Sequence, residues 1–260
     1  MIYALIAIVA AFFVWLSVMI SPKRGIPVLM YHKVLPDFTD DLTVSVLQLE
    51  EHLQFLQSKG YQILPLERLI GHLTEKEKLP ANAVFITFDD GYLNNLKYAY
   101  PILERYHAPA TIFLPTSYIG KTSSWDTKAD DLMNVAQLKS LNPALISFGL
   151  HSHTHQNYKT AGIAEIANDL QNNIHFFKQS GLSFLPAFAY PYGGRPKNKI
   201  LLKQMKEAMQ SMGVIMAFRI GNRLNRSFKD NYELQRLDIR GSDSFSVFQK
   251  KLAGKAKISF

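Results

Sequence analysis

Phe85-Ile86-Thr87-Phe88-Asp89-Asp90-Gly91-Tyr92, answered later by Gly149-Leu150-His151-Ser152-His153-Thr154-His155, decides how this chain is read. In the first stretch an apolar run delivers two adjacent carboxylates to a glycine turn. In the second, another run delivers three alternating histidines. Carboxylate and imidazole are the ligands of a divalent metal that activates water rather than one that only braces a fold. Three protein ligands leave one coordination position open, and a second carboxylate beside them can serve as a base. Singly, each stretch has a plain structural explanation. Asp-Asp-Gly is a common strand-to-loop transition, and residues four apart, like His151 and His155, meet by chance on one helical turn. Together, in a chain rich in both strand and helix patterns, they point to a metal-assisted hydrolase.

Working outward, short apolar runs recur at Ile26 to Tyr31, Val84 to Phe88, Ala110 to Leu114, Leu145 to Leu150, Ala187 to Tyr190 and Gly213 to Phe218, with a last strand around Leu234 to Gly241. Runs of this length suit strands buried on both faces. Between them lie amphipathic stretches at Val46 to Ser58, Leu93 to Tyr106, Ile163 to Ser180 and Asn198 to Met212, and Gly60 and Gly181 stand where helix stop signals belong. Strands alternating with helices predict an α/β fold around a parallel sheet.

Thr87-Phe88-Asp89-Asp90-Gly91-Tyr92 resembles the first motif of the polysaccharide deacetylases, the NodB-homology group or carbohydrate esterase family 4. His151-Ser152-His153-Thr154-His155 is similar to their second motif, His-Ser/Thr-x-x-His. Ala189-Tyr190-Pro191-Tyr192-Gly193 resembles the third, Arg-x-Pro-Tyr. The opening Pro27-Val28-Leu29-Met30-Tyr31-His32 is similar to that of one branch, the poly-N-acetylglucosamine deacetylases. The resemblance runs from about Pro27 to Leu252. It implies a deformed (β/α) barrel of the NodB-homology type, with the active residues on strand ends at one face.

By the same resemblance Asp90, His151 and His155 bind the metal and Asp89 is the general base. The ligand set accepts a divalent ion, zinc in the first place, with cobalt, nickel and iron compatible. His153 is expected to point away from its neighbours in an extended segment, in a supporting role. An amine leaving group must be protonated before it departs, and the family usually supplies a histidine from a late motif. No histidine follows His175 here, so His32, at the end of the first strand, is the expected general acid. The third motif's arginine is replaced by Ala189, and Arg236 is preferred over Arg240 as the residue that orients the base. Pro191, Tyr192 and Trp125 offer rigid apolar surfaces for a sugar ring. His52, His72, His107 and His175 read as packing or surface residues.

The 260 residues, 47% hydrophobic and 19% charged, suffice for one sizeable domain, expected over 22–260. Cysteine is absent, which excludes disulfides and a thiolate metal site. The net charge of +8 suits an anionic envelope surroundings, and its scatter, without a basic stripe, argues against nucleic acid. Ile2 to Ile20 carries no charge, and about twenty helical residues at ~1.5 Å each cross a bilayer core. Residues 1–21 are therefore expected to form a retained transmembrane helix rather than a cleaved signal, since no basic residue precedes them and Val18-Met19-Ile20-Ser21 is a poor cleavage site. Lys23 and Arg24 beyond the span favour an inward domain. Relatives that act on finished polysaccharide argue for an outward one, the orientation expected here. The substrate implied is an N-acetylglucosamine polymer of the cell envelope. A lipid-linked sugar intermediate, or an inactive carbohydrate-binding relative, are the alternatives.

Overall fold

The structure, a computed structural model, describes residues 25–255. Its strands are β1 (Val28–Tyr31), β2 (Lys33–Leu35), β3 (Thr43–Ser45), β4 (Gln62–Ile63), β5 (Ala83–Asp89), β6 (Ala110–Leu114), β7 (Ile146–Leu150), β8 (Ala187–Ala189), β9 (Met216–Ile220) and β10 (Leu234–Asp238). The helices are α1 (Val46–Ser58), α2 (Glu67–Thr74), α3 (Tyr100–Arg105), α4 (Val135–Ser140), α5 (Ile163–Ser180), α6 (Lys199–Ser211) and α7 (Phe245–Leu252). Strands β1, β10, β9, β8, β7, β6 and β5 pair in that order, and β1 pairs with β5 to close a ring of seven, every pairing parallel. The expected (β/α) barrel is present. The β7–β8 seam is its thinnest, with a single register pair at Leu150 and Phe188.

Side-chain parity explains why both faces of each strand are apolar. Val28, Phe85, Phe113, Ala187, Ala189, Met216, Phe218 and Leu234 point into the barrel and form one cluster. Their alternates, among them Leu29, Ile86, Phe88, Ile112, Leu150, Phe188 and Leu237, point outward and pack with the helices in a second, larger cluster. Leu66 and Leu69, at the start of α2, join the inner cluster and plug the end at which the strands begin. That leaves the opposite end, where the strands finish, open for a site.

Local signals set the helix limits. Ser45 caps α1 through a capping box with Gln48, and Asn198 caps α6 by accepting from the N–H groups of Ile200 and Leu201. Gly181 ends α5 in the left-handed conformation, φ 67°. His52, on α1, packs against Phe248 at 3.8 Å between ring centres and bonds to the Tyr31 hydroxyl.

Several boundaries differ from the periodicity. The stretch Leu93 to Tyr106 is one π-turn, Asn95–Ala99, followed by the short α3, and Pro101, which has no N–H to donate, sits in the first turn of α3. Gly213 and Val214 close the turn after α6, bonding back to Gln210 and Met209, so β9 begins only at Met216. β2 and β3 form a separate two-stranded parallel sheet that the pattern did not announce. Among the described residues no helix is long and apolar enough to cross a membrane. The expected span at residues 1–21 lies outside them.

Gly149 faces inward on β7. A Cβ there would lie 2.4–2.5 Å from two ring carbons of Phe113 and 3.2 Å from the Ala187 carbonyl oxygen. Gly149→Ala is expected to overpack the barrel by about 1–3 kcal/mol, seen as a fall of several degrees in Tm by calorimetry. An unchanged Tm would mean that the Phe113 ring moves aside freely.

Candidate active site

The inward parity that makes Phe85 and Thr87 core residues carries Asp89 to the open rim at the end of β5. On β10 the same rule directs Leu234, Arg236 and Asp238 inward. The Arg236 guanidinium is 0% exposed and meets Asp89 in a two-point pair, Nη1 to Oδ1 and Nη2 to Oδ2 at 2.6 Å each. Nη1 also donates to Thr87 Oγ1 at 3.3 Å. Burial pushes the Asp89 carboxyl up, but Arg236, then His151, outweigh it and hold the group below its ordinary range. Arg240 instead pairs with Asp238 and Asp41.

Asp90 and Gly91 turn left-handed, with φ of 72° and 73°, which swings the Asp90 carboxylate away from Asp89 and toward the histidines. His151 follows β7 directly. Its Nδ1–H donates to the Ala189 carbonyl oxygen at 2.8 Å, which fixes the tautomer and leaves the Nε2 lone pair free. That Nε2 lies 3.5 Å from Asp90 Oδ1, and His155 Nε2 lies 3.2 Å from the same oxygen. The segment between the two histidines is neither helix nor strand. Ser152 and His155 both take positive φ, 65° and 54°, conformations that cost non-glycine residues about 1–3 kcal/mol each. His153 turns aside to bond Thr116 Oγ1 at 2.9 Å.

One ligand atom from each of Asp90, His151 and His155 lies within 4.8 Å of the others, and all three residues are buried. Asp90 Oδ1 has no hydrogen-bond donor. Burial lowers the His151 pKa to about 4 and the His155 pKa to about 2, so both rings are neutral and present lone pairs. Burial, with the Asp89 and Asp126 carboxylates, pushes the Asp90 carboxyl well above its usual range. Three acceptors thus converge on one point with no donor among them. A divalent cation fits that donor set, because it supplies the positive charge that the buried carboxylate lacks.

The walls come from loops. Trp125 stacks on His155 with ring centres 4.0 Å apart, and Tyr118 meets Trp125 edge-on at 4.7 Å. Tyr192, 56% exposed and left-handed at φ 58°, also stands beside His155, with ring centres 4.7 Å apart. Pro191 departs from expectation: it is buried at the start of its turn and does not line the cleft, so its part is to shape the turn that presents Tyr192. His32 follows β1 and places Nε2 4.0 Å from Asp89 Oδ2. These groups enclose a cleft of about 320 Å³. The structure therefore brings Asp89, Asp90, His151, His155, His32, Arg236, Trp125 and Tyr192 to one place.

Other residues of the site carried no motif. Lys33 is buried against Asp126 and Asp130 at 2.9 and 2.7 Å, tying the Trp125 loop to β2, and Tyr92 donates to the same Asp126 carboxylate. Asn95, in the π-turn, donates to the His32 carbonyl at 2.7 Å. Asp238, which lines the cleft, could have been found from its parity with Arg236. The others could not.

The sequence model of the polysaccharide deacetylase family matches residues 76–214. The chain belongs to that family and is an enzyme of its class. It is 27% identical over 255 residues to the poly-beta-1,6-N-acetyl-D-glucosamine N-deacetylase of Staphylococcus epidermidis, covering 89% of this chain and 84% of that one. It is 28% identical to the putative polysaccharide deacetylase YxkH of Bacillus subtilis, over 73% of this chain and 63% of the other. The fold is shared with the Streptococcus pyogenes deacetylase PplD, at a TM-score of 0.72 and 22% identity over 89% of this chain and 99% of that one. It is shared likewise with IcaB from Ammonifex degensii, at 0.71 and 22% over 90% and 98%.

The Asp89–Arg236 pair makes a prediction about stability and pH in the metal-free protein. Because its folded pKa lies below the ordinary 3.8, Asp89 stabilises the fold above that pH and loses this contribution as pH falls through the folded value. In Arg236→Met the largest influence against burial is gone, and the carboxyl rises. The variant is expected to lose about 3–5 kcal/mol at pH 7, and the difference in Tm from the parent should narrow as the pH is lowered toward 3.8. A difference independent of pH would mean that the pair is not ionic.

Proposed function

We propose that this chain is a metal-dependent N-deacetylase of N-acetylglucosamine polymers of the cell envelope, with poly-β-1,6-linked N-acetylglucosamine the leading substrate. The observation that carries the reading is the meeting of a three-residue cation cradle with an arginine-paired carboxylate in one cleft. Asp90, His151 and His155 are the ligands. A divalent ion held there, zinc in the first place, supplies Lewis acidity toward water and the acetyl carbonyl.

The chain's own groups do the rest. Asp89, kept ionised by Arg236, takes the proton of the attacking water as its oxygen bonds to the acetyl carbon. In this reading the backbone N–H at Tyr192 would donate to the developing oxyanion, a contact of the kind worth about 10²–10³ in rate. His32 gives a proton to the sugar nitrogen as the C–N bond breaks, releasing acetate and a free amine. Burial holds its imidazole below the ordinary range, and the Asp89 and Asp238 carboxylates oppose that without reversing it, so the proton it gives is one taken up during the reaction, with its Nε2 4.0 Å from Asp89 Oδ2. Trp125 and Tyr192, both lining the cleft beside His155, offer the aromatic surfaces against which the sugar ring packs.

The substrate preference is supported by the likeness to the Staphylococcus epidermidis enzyme along most of both chains. The absence of a late histidine and of the third motif's arginine is what speaks for the alternative, a binding-only relative. His32 and Arg236 stand beside Asp89 and argue for turnover. The apolar residues 1–21 anchor the chain in the cell membrane in this reading, with the catalytic domain outside. The anchor is read from the uncharged run Ile2 to Ile20, and the outward orientation from the resemblance to enzymes that act on finished polysaccharide, against the flanking Lys23 and Arg24.

The test is acetate release by the full chain from β-1,6- and β-1,4-linked N-acetylglucosamine oligomers with added divalent metals. Release should require metal, vanish in Asp89→Asn, favour the β-1,6 series and drop roughly 10²–10⁴ in His32→Ala with metal still bound. No release from folded, metal-loaded protein on either series would turn the reading to a lipid-linked sugar or to binding alone. For orientation, protease added to intact spheroplasts should cut the domain. Protection of the domain would place it inside.

A further inference from the structure

The loop that carries His151 and His155 is held from behind by one face of α5, a face that the catalytic reading leaves unused. Asp169 is buried there with four donors on its two oxygens. Oδ2 accepts from the His153 N–H at 2.9 Å and the Tyr158 hydroxyl at 2.7 Å. Oδ1 accepts from the Thr154 N–H at 2.9 Å and the Thr154 hydroxyl at 2.7 Å. One turn along the same face, Asn173 donates to Thr116 Oγ1 at 2.8 Å, the atom that bonds His153. None of these bonds reaches a ligand imidazole. Two of them, from the His153 and Thr154 N–H groups, hold the backbone between the two rings directly, and the side-chain bonds brace Asp169, Thr154 and His153 around it.

That backbone needs fixing. In an extended strand, residues four apart would be separated by about 13 Å, too far for one cation. Here Ser152 and His155 take left-handed φ values and fold the loop back, until one ligand atom from each histidine and from Asp90 lie within 4.8 Å of one another. Such conformations persist only where the surroundings over-determine them. Asp169 is the group that receives most of the determining bonds. A carboxylate suits the task because it only accepts, whereas an asparagine would turn an NH₂ group toward two of the four donors.

We infer that Asp169 is a positioning residue that holds the loop from His151 to His155 in its cation-binding shape and so sets the affinity of the site. The inference rests on the reading of Asp90, His151 and His155 as ligands. Its action is through the loop backbone, without contact with the cation or the substrate.

The experiment measures zinc affinity of the full chain by calorimetry with a competing chelator, beside the Tm of the metal-free protein, for the parent, Asp169→Asn, Tyr158→Phe and His155→Ala. Asp169→Asn should fold and bind zinc roughly 10–100-fold more weakly, with the KM for the glycan unchanged. Tyr158→Phe removes one donor but keeps the ring stacked on Phe188, and should weaken zinc in the same direction by less. Wild-type affinity in folded Asp169→Asn overturns the inference. If that variant does not fold, Tyr158→Phe decides: weaker zinc binding supports the inference, and unchanged binding overturns it. A parent that binds no zinc, or a His155→Ala variant that binds as the parent does, defeats the ligand assignment and the inference with it.

Discussion

A carboxylate and a guanidinium, both withdrawn from water, face each other across the mouth of the barrel, and the rest of the site is arranged around that pair. Neither could stay charged alone at that depth. Asp89 and Arg236 are 147 residues apart in sequence and sit on strands that do not touch, since β1 lies between β5 and β10. Only a closed barrel, whose inward residues rise in register from three neighbouring strands, brings their side chains to 2.6 Å. The pair in turn separates two chemically identical neighbours. Asp89 is held ionised by its arginine, while Asp90, one residue on and turned left-handed, has no such partner and is left to bind a cation.

The same division of labour runs through the histidines. His151 is set by the Ala189 carbonyl, His155 stacks on Trp125 and adjoins Tyr192, His153 braces the loop through Thr116, and His32 stands apart near Asp89. Burial keeps His151 and His155 neutral and therefore able to ligate. Identical side chains within a few residues acquire different tasks because the backbone gives each a different partner. The replacement of the third motif's arginine by Ala189 follows the same logic. The position contributes its carbonyl oxygen to His151, and the guanidinium arrives from β10.

Much of this was legible in the chain. Apolar runs bounded by turn residues located the barrel strands to within about three residues, and α1 and α5 coincide with the stretches the periodicity marked, because buried faces impose their period on the sequence. What escaped has physical causes. The π-turn at Asn95–Ala99 keeps an amphipathic pattern while changing the hydrogen-bond step. β2 and β3 are three residues each, too short for any period to register. Pro191 looked like a sugar platform, but its ring is buried beneath the turn it shapes. Lys33, Asp126, Asn95 and Asp169 are single polar residues whose significance lies wholly in what they meet.

The sequence by itself determined the alternation of strand and helix, the strand ends that carry Asp89, Asp90 and His151, and the chemical type of the cation cradle. These follow from local order: side-chain period, turn residues and the adjacency of ligand groups along the chain. Tertiary structure decided which arginine meets Asp89, that Ala189 serves through its carbonyl, and that α5 grips the histidine loop through Asp169. Such choices depend on distances between residues far apart in sequence. Those distances exist only once the barrel has closed and water has been excluded from its rim.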